Sequence, residues 1–431
     1  QNLYYKENNG VQTAATKSSR SLSRASARVS PFASVLEGAE AFAGGETRTI
    51  TIDGVQYTVK NKLTTANDLS YSKDTSTGEL TLIASNFEIR GQEDVVHNLI
   101  ISGRRNNIYG GKLDDKVEES DSENCYINYI YGGEGNDTII LRATASVGYG
   151  EAGDDLLTAY TGSLNGGTGE DIFNIYAGYV VHHGGAGNDI FNIYGVSNKI
   201  YGDDGDDIFN IIQGGSNTID GGTGTNTVTG TVGTNTTINV IGANSGSVSL
   251  TKGVEQVVNI NGIDYTMSTE STTATVIYSI NDSGQITFSM SSNQAIIRGD
   301  LNKKHNVSIK AGITFYGGNK GDIIDAHGAT IYLGSGNNTL KAFGTTIYGS
   351  SGNDTVSITD GSFFYGGTGI TNLTARSLNY IESVSGTMNL SLYGDSNTVY
   401  GTGGNNTLVS NTRPNNFISG FGDADNAQAL S

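Results

Sequence analysis

The chain has 431 residues, enough for two domains of ordinary size, and its formal net charge is −18. Nucleic acids and anionic membranes repel so acidic a protein, so the charge excludes both as expected partners and favours cations, calcium first. With 61 Gly, 2 Pro and no Trp, the composition predicts a turn-rich, all-β protein. Cys125 has no second cysteine to pair with, and no apolar run is long enough to predict membrane insertion.

Residues 1–45 precede the repeats and include a run rich in Ser and Ala. The basic residues of this run are spaced three or four apart, at Lys17, Arg20, Arg24 and Arg28. The segment PFASVLEGAEAFA, which begins at Pro31, predicts a short helix. Two interpretations stay open, namely a flexible tail and a basic arm that binds an acidic neighbouring subunit.

A tandem duplication organises the rest of the chain. The segment ITIDGVQYTV begins at Ile50, and the similar VNINGIDYTM begins at Val258, 208 residues later. Alternating apolar residues around an Asp-Gly or Asn-Gly turn predict a small β-meander, which would cap the solenoid that follows it. We expect these caps at residues 46–102 and 231–298.

Residues 103–230 repeat a nine-residue motif with glycine at the first and fourth places and aspartate at the sixth. The copies begin at Gly110, Gly132, Gly150, Gly166, Gly184, Gly202 and Gly221. Their sixth places hold Asp115, Asp137, Asp155, Asp171, Asp189, Asp207 and Asn226, and the asparagine is expected to end the row. So regular a repeat predicts a β-solenoid whose coils stack on one another.

The residue types indicate what each coil does. Glycine permits positive φ, so the turn is tight and its carbonyl oxygens crowd together, and the aspartate adds a carboxylate to an oxygen cluster that suits a hard cation. In the phrase Asp-Ile-Phe-Asn, which occurs three times, Phe173, Phe191 and Phe209 are expected to stack inside the roll. The alternative is that the aspartates only cap turns through hydrogen bonds to backbone N–H groups.

These motifs resemble the G-G-x-G-x-D-x-U-x nonapeptide of the RTX, or hemolysin-type calcium-binding, proteins, here of the surface-layer or adhesin type. The resemblance implies parallel β-rolls, several bound Ca²⁺ ions, type I secretion machinery as a partner, and folding in extracellular calcium. Ions are expected between successive coils, in pairs such as Asp137 with Asp155. Besides the aspartates, the expected metal positions of this roll are Gly132, Gly133, Gly135, Gly150, Gly153, Gly166, Gly167, Gly169, Gly184, Gly185, Gly187, Gly202, Asp204 and Gly205.

The other half of each coil has a different sequence. IYAGYVVHH from Ile175 and IYGVSNKIY from Ile193 contain no glycine–aspartate turn. We therefore expect calcium along one edge of the roll and a dry opposite edge, with His182 and His183 as exposed turn residues.

A second, degenerate array is expected at residues 299–411, and residues 412–431 are expected to be a C-terminal tail. The sixth places of its motifs hold Asp322, Asn338, Asp354, Thr371 and Asn406. Because two of these are carboxylates, weak metal sites are expected at Asp322 and Asp354. The predicted fold is thus all-β, with two tandem parallel β-roll domains, each preceded by a β-meander cap.

The outer face of the first roll carries regular rows. Since Phe173 points inward, its neighbours point outward, which predicts an apolar row at Ile172, Ile190 and Ile208 beside an Asn174, Asn192 and Asn210 row. An exposed apolar row on an acidic protein is expected to be covered, either by another protomer or by the segment around Phe32 to Phe42.

Motifs of hydrolases, P-loop proteins and Cys/His metal sites do not occur in the sequence, so no enzyme is predicted. The expected function is that of a secreted calcium-binding structural protein of the bacterial cell surface, a surface-layer, matrix or filament subunit that self-associates into a lattice or filament. An RTX adhesin stalk that binds a host or surface ligand is the alternative. A carbohydrate-active β-solenoid enzyme, a lyase or epimerase, ranks below both.

Overall fold

The computed structural model describes residues 28–29, 35–122, 124–213, 215–230, 237–383, 385–401, 404–411, 415–420 and 426–430. Within these ranges the chain consists of β-strands and turns without a helix, and so without a helix able to cross a membrane. The prediction of an all-β protein is confirmed.

The strands of the first half are β1 (Arg28–Val29), β2 (Val35–Phe42), β3 (Thr47–Ile52), β4 (Val55–Asn61), β5 (Asn67–Asp74), β6 (Leu80–Ile83), β7 (Phe87–Arg90), β8 (Asn98–Ser102), β9 (Asn107–Tyr109), β10 (Lys116–Glu119), β11 (Tyr129–Glu134), β12 (Thr138–Leu141), β13 (Val147–Ala152), β14 (Leu156–Ala159), β15 (Ser163–Thr168), β16 (Ile172–Ile175), β17 (Val181–Ala186), β18 (Ile190–Ile193), β19 (Lys199–Asp204), β20 (Ile208–Ile211), β21 (Thr218–Asp220), β22 (Asn226–Gly230) and β23 (Thr237–Ile241).

The strands of the second half are β24 (Ala243–Thr251), β25 (Gln256–Ile260), β26 (Ile263–Ser268), β27 (Thr273–Ile280), β28 (Ile286–Ser292), β29 (Ala295–Gly299), β30 (Asn306–Ile309), β31 (Ile313–Tyr316), β32 (Ile323–His327), β33 (Thr330–Tyr332), β34 (Thr339–Phe343), β35 (Thr346–Tyr348), β36 (Asp354–Thr359), β37 (Phe363–Tyr365), β38 (Ile370–Ala375), β39 (Tyr380–Ser383), β40 (Thr387–Leu392), β41 (Thr398–Gly401), β42 (Asn406–Asn411), β43 (Phe417–Ser419) and β44 (Asn426–Leu430).

These strands wind into a parallel β-solenoid of about 18 coils. In the first roll the even-numbered strands from β8 to β22 pair in parallel in sheet A, which has 23 strands in all. The odd-numbered strands from β7 to β23 pair in parallel in the second sheet, sheet B. Each coil therefore contributes one strand to each sheet, and the predicted parallel solenoid is confirmed.

The core lies between the two sheets, because alternate side chains of every strand point inward. Phe173, Phe191 and Phe209 occupy the same register position in three successive coils and are fully buried. Their rings stack at centroid distances of 4.4 and 4.8 Å. Each such burial stabilises the fold by about 2–3 kcal/mol, which explains why the Asp-Ile-Phe-Asn phrase recurs once per coil.

Each half of the chain contains one coil that runs in the reverse direction. β5 is antiparallel to both β2 and β6, and β27 is antiparallel to both β24 and β28. In sheet B, β4 and β26 are likewise antiparallel to both of their neighbours. The predicted meander caps are thus reversed coils built into the solenoid.

A glycine makes each reversed coil possible. A Cβ on Gly38 would lie 2.3 Å from the Tyr71 ring, and one on Gly246 would lie 2.5 Å from the Tyr278 ring. Both tyrosines are buried, so their rings fill the space that a side chain on the facing strand would occupy. The two halves therefore repeat this contact.

The solenoid continues from the first half into the second. β22 pairs with β24 and β23 pairs with β25, both in parallel, ahead of the second reversed coil. The buried apolar side chains form one cluster that extends from Phe42 to Leu408. The division into two roll domains is therefore not confirmed.

Two predictions about the ends of the chain are wrong. Residues 35–42 form strand β2, which pairs with β5 along its whole length, rather than a helix. Pairing with eight partners in β5 outweighs the weak helix preference of a short segment that contains Gly38. The supposed C-terminal tail contains β43 and β44, which add to β41 and β42 and extend both sheets.

The edge opposite the glycine–aspartate turns is built from buried polar side chains. Asn106 N–H donates to Asn128 Oδ1 at 3.0 Å, and Asn198 N–H donates to Asn217 Oδ1 at 2.8 Å. Their amide groups donate to backbone carbonyls, as Asn198 Nδ2 does to Ala177 O at 2.8 Å. These asparagines therefore supply both the donors and the acceptors that the edge requires.

The prediction that His182 is exposed is wrong. Its side chain is fully buried, and Nδ1 accepts a hydrogen bond from Leu164 N–H at 3.2 Å. Burial lowers the pKa of His182 to about 3, so the ring is neutral. His183 points outward, as its place one residue further along the strand requires, and its Nδ1 lies 3.0 Å from Asp203 Oδ2.

Candidate calcium-binding turn edge

The glycine–aspartate turn is shorter than the motif suggests. In the copy that begins at Gly184, the first three residues belong to strand β17, and only Gly187, Asn188 and Asp189 separate it from β18. Gly187 has φ of 137°, and a Cβ there would lie 1.8 Å from the Gly169 carbonyl oxygen of the preceding coil. Glycine is therefore required where successive turns stack most closely.

The sixth-place aspartates form one buried column along this edge. Asp115, Asp137, Asp155, Asp171, Asp189 and Asp207 are at most 2% exposed. In each coil, the Oδ1 atom accepts a hydrogen bond of 2.6–2.9 Å from the backbone N–H at the same place in the preceding coil. The series begins with His97 N–H, which donates to Asp115 Oδ1, and ends with Asp207 N–H, which donates to Asn226 Oδ1. Pairs such as Asp137 and Asp155, which were expected to share an ion, are thus also joined by a direct hydrogen bond.

The second carboxylate oxygen differs from the first. Within the described part of the chain, Oδ2 is buried and has no hydrogen-bond partner in Asp137, Asp155, Asp171, Asp189 and Asp207. A buried carboxylate oxygen without a donor is costly, commonly by about 1–3 kcal/mol or more for a charged group. Five equivalent oxygens of this kind repeat along one edge of the described solenoid.

The first glycine of the motif makes room for this oxygen. A Cβ on Gly184 would lie 2.2 Å from Asp189 Oδ2 and 2.5 Å from the Gly202 carbonyl oxygen. The same clash with the aspartate Oδ2 occurs at the first glycine of the other four copies, Gly132, Gly150, Gly166 and Gly202. The carboxylate therefore packs against bare backbone.

Two places of the column hold asparagine, in coils whose sheet B strand ends before the turn, at Asp220 and Tyr332. Asn226 Nδ2 donates to the carbonyl oxygens of Gly221 at 2.7 Å and Thr223 at 3.0 Å. Asn338 Nδ2 donates to Gly334 O at 3.1 Å and Gly336 O at 2.8 Å. In the five aspartate coils the sheet B strand runs on into the motif, so their turns differ from those of the two asparagines. A buried carboxylate oxygen without a donor requires either a proton on the carboxylate or a cation.

The aspartate pKa values reflect the same environment. Burial, with smaller contributions from neighbouring carboxylates, raises the pKa to about 8 in Asp137 and Asp189 and to about 7 in Asp155. Burial also raises the pKa of Asp171 and Asp207 to about 6. A cation bound at this edge would hold these groups in the ionised form near neutral pH.

Three other predicted ligands have hydrogen-bond donors at both carboxylate oxygens. Asp115 Oδ2 accepts from Gly111 N–H at 2.7 Å, and Asp322 Oδ2 accepts from Gly318 N–H at 2.9 Å. Asp354 Oδ2 accepts from Ser350 Oγ at 2.9 Å. These positions lack the unsatisfied oxygen that marks the five central aspartates.

The strand boundaries explain why the first coil of each roll differs. β9 ends at Tyr109 and β31 ends at Tyr316, so the second glycine, Gly111 or Gly318, lies outside the strand and its N–H points at the aspartate. In later coils β11, β15 and β17 run on through the second glycine. Strand pairing in sheet B therefore holds the N–H of the second glycine away from the carboxylate.

The remaining predicted positions lie around the column. The second-place glycines Gly133, Gly167 and Gly185 belong to sheet B, and the fourth-place glycines Gly135, Gly153, Gly169 and Gly205 form the stacked turns with Gly187. Asp204 lies at the exposed end of β19, where its Oδ1 accepts from Thr223 Oγ1 at 2.9 Å, and it is not part of the column.

Sequence reasoning missed two other columns. On the solvent side of the aspartates, Asp154 N–H donates to Asn136 Oδ1 at 2.9 Å and Glu170 N–H donates to Asp154 Oδ1 at 2.8 Å. The second column is that of the buried asparagines on the opposite edge. A recurring Asn-x-Ile pattern, at Asn128, Asn198 and Asn217, is a sequence signal that could have located it.

The described residues contain no group of three or more His, Cys, Asp or Glu side chains arranged to hold a metal ion. A cation at this edge would instead be held by aspartate Oδ2 atoms and backbone carbonyl oxygens, which is a donor set that calcium accepts. The chain matches no protein-family model, and no curated protein matches it.

Proposed function

We propose that this chain is a secreted structural protein of the bacterial cell surface, and that Ca²⁺ bound along the glycine–aspartate edge folds and stiffens its solenoid. The observation that carries the proposal is the column of five buried Oδ2 atoms without donors, in a protein whose net charge is −18. Calcium is a hard cation that binds carboxylate and carbonyl oxygens, and extracellular modules bind it with Kd values on the order of 10⁻⁴ to 10⁻³ M. Secretion through the type I machinery and folding in external calcium belong to the same proposal.

The best-placed test is the substitution Asp189→Asn, because it keeps the Oδ1 acceptor and replaces the buried Oδ2 that has no donor by a neutral amide. We expect D189N to bind fewer calcium ions than the wild type and to be at least as stable as the wild type in chelator. Isothermal titration calorimetry measures the stoichiometry, and thermal melts in EGTA and in calcium measure the stability.

The matched control is Asp322→Asn, since both oxygens of Asp322 have donors. We expect D322N to lose stability with and without calcium, because Gly318 N–H loses its acceptor, and to keep the calcium stoichiometry. If calcium neither binds to the wild-type protein nor raises its melting temperature, the carboxyls are protonated instead and the proposal fails.

Self-association into a lattice or filament is the structural role we propose for the folded protein. A solenoid repeats its outer side chains at the coil spacing, which suits it to packing against another repeating surface. Electron microscopy of the purified protein with calcium should show ordered assemblies that disperse in chelator. Stable monomers in calcium would favour the adhesin-stalk alternative.

A further inference from the structure

The outer surface of sheet A in the first roll is uncharged over several coils. In the described residues of β14, β16, β18 and β20, every outward side chain is Leu, Ile, Thr or Asn. The outward residues of β12 and β22 are likewise Thr or Ile. We call the outer side of these six strands, together with the residue that follows each of the first five, the uncharged face. Among these described residues Arg142, at one corner, is the one cation.

Three parallel rows of side chains make up the uncharged face. The first contains the predicted aliphatic row, where Ile172 and Ile208 are 40% and 39% exposed. The second is the asparagine row, and the third, just beyond the strand ends, is a stack of Tyr160, Tyr176 and Tyr194 with ring centroids 5.0 and 4.4 Å apart. Tyr160 and Tyr176 are each 44% exposed.

The asparagine row lowers the cost of covering this face. Asn192 Nδ2 donates to Asn174 Oδ1, and Asn210 Nδ2 donates to Asn192 Oδ1, both at 3.1 Å. Thr229 Oγ1 donates to Asn210 Oδ1 at 2.8 Å. Because these polar groups already bond along the solenoid axis, burial against a partner leaves fewer unsatisfied donors and acceptors.

The described part of the N-terminal segment does not cover the uncharged face. Strand β2, residues 35–42, lies in sheet A itself and is separated from β16 by β5, β6, β8, β10, β12 and β14. This part of the earlier hypothesis is wrong. Phe32 lies outside the described residues.

We propose that the uncharged face binds the uncharged face of a second copy of this chain. Two copies that each carry a charge of −18 repel one another least where both surfaces are neutral. A copy also presents rows with the same coil spacing, so every row can pack against a row along the whole contact. The inference rests on the proposed self-association and identifies its contact surface.

The area of the uncharged face sets the expected affinity of the dimer. Six strands at about 4.8 Å and five residues at about 3.3 Å give roughly 475 Å² per copy, or roughly 950 Å² in total, close to the lower limit for a specific interface. We therefore expect a dimer with a Kd on the order of micromolar, so that its population depends on protein concentration.

The test compares two lysine substitutions in one coil. Ile172 in β16 faces outward from sheet A, and Val181 in β17 faces outward from sheet B with the same exposure, 39% against 40%. Ile172→Lys should weaken dimerisation at least tenfold, whereas Val181→Lys should leave it unchanged. Both substitutions reduce the net negative charge equally, so added repulsion between copies cannot explain a loss of binding.

Sedimentation velocity over a concentration series in calcium measures the dimer, and circular dichroism checks the fold; Ile208→Lys replaces I172K if that variant fails to fold. A wild-type protein that stays monomeric, or a lysine at Val181 that is as damaging as one at Ile172, would overturn the inference. Calcium titration of the same samples separates the two proposals, because a monomer that still binds calcium refutes the interface alone.

Discussion

At the scale of single residues, the candidate site depends on one side-chain atom, which is Oδ2 in aspartate and Nδ2 in asparagine. Asp189 and Asn226 occupy the same place of the motif in one column, and both accept a backbone hydrogen bond through Oδ1. The amide of Asn226 then donates to two carbonyl oxygens, whereas Asp189 Oδ2 has nothing to donate unless it is protonated. Where no N–H group reaches Oδ2, an aspartate therefore needs a proton or a cation, and an asparagine needs neither.

The raised pKa values predict an unusual pH dependence. The pKa values of about 6 to 8 in the folded column exceed the ordinary aspartate value near 3.9, so the folded protein holds these protons more tightly than the unfolded chain does. In chelator, the free energy of unfolding should thus fall as pH rises from about 4 to 8, the reverse of an ion-paired aspartate.

Urea unfolding in EGTA at several pH values measures this dependence. Calcium displaces the protons, so its binding should release more protons at about pH 6 than at about pH 8 and should tighten as the pH rises, which calorimetry in buffers of different ionisation enthalpy detects. Stability in chelator that increases with pH over this range would show that the carboxylates are ionised and compensated by other groups.

At the scale of strands, the two reversed coils differ in their surroundings. The first lies at the start of the described solenoid, and the second lies inside it. Val248 and Gln256, next to the second reversed coil, are buried against the end of the first roll. By sheet register, the corresponding residues of the first half are Glu40 and Arg48, which form an ion pair of 2.8 Å. In the described residues β1 pairs with β2 only at Leu36 and Glu37, and inward-pointing charges along the rest of this edge discourage further strands from adding.

Removing this ion pair should allow the first described coil to bind the end of another copy of the chain. The double variant Glu40→Val, Arg48→Gln gives it the residues of the interior coil, so we expect end-to-end association in addition to any contact through the uncharged face. Multi-angle light scattering on the I172K background isolates the effect. The control is Glu88→Val, Arg90→Gln, which removes an ion pair from the outer face of sheet B. An unchanged mass would mean that this edge is closed by other means.

At the scale of the whole molecule, the two rolls differ in what satisfies their buried edge. The first contains the five aspartates with unsatisfied Oδ2 atoms. In the second, Asn338 donates to Asp354 Oδ1 at 2.9 Å, and Asp322 accepts from His305 and Gly318. Calcium dependence should therefore be local to the first roll, although the sheets are continuous.

Hydrogen exchange on the full chain tests this difference. Chelation should accelerate amide exchange in β16 and β18 at least tenfold, equal to about 1.4 kcal/mol, while β34 and β36 keep their rates in both conditions. Each coil contacts mainly its neighbours, so loosening can remain within one roll. Equal acceleration in both rolls would contradict the assignment of calcium to the first.

The sequence by itself determined the coil, the stacked phenylalanines, the outward isoleucine and asparagine rows, and the duplication. These features depend on strand alternation and a fixed repeat, which are local properties of the chain. The same reasoning placed a helix at residues 31–43 and an exposed ring at His182. It failed there because other segments of the chain decide that residues 35–42 pair with β5 and that His182 lies on the inward side of β17.

Only the tertiary structure decided which aspartates lack a donor. Asp115, Asp189 and Asp322 share one place in the motif, yet their Oδ2 atoms differ because Gly111 and Gly318 lie beyond the ends of β9 and β31, while Gly185 is held inside β17. Whether a buried carboxylate is satisfied depends on the direction of an N–H group several residues away, which strand pairing fixes in space.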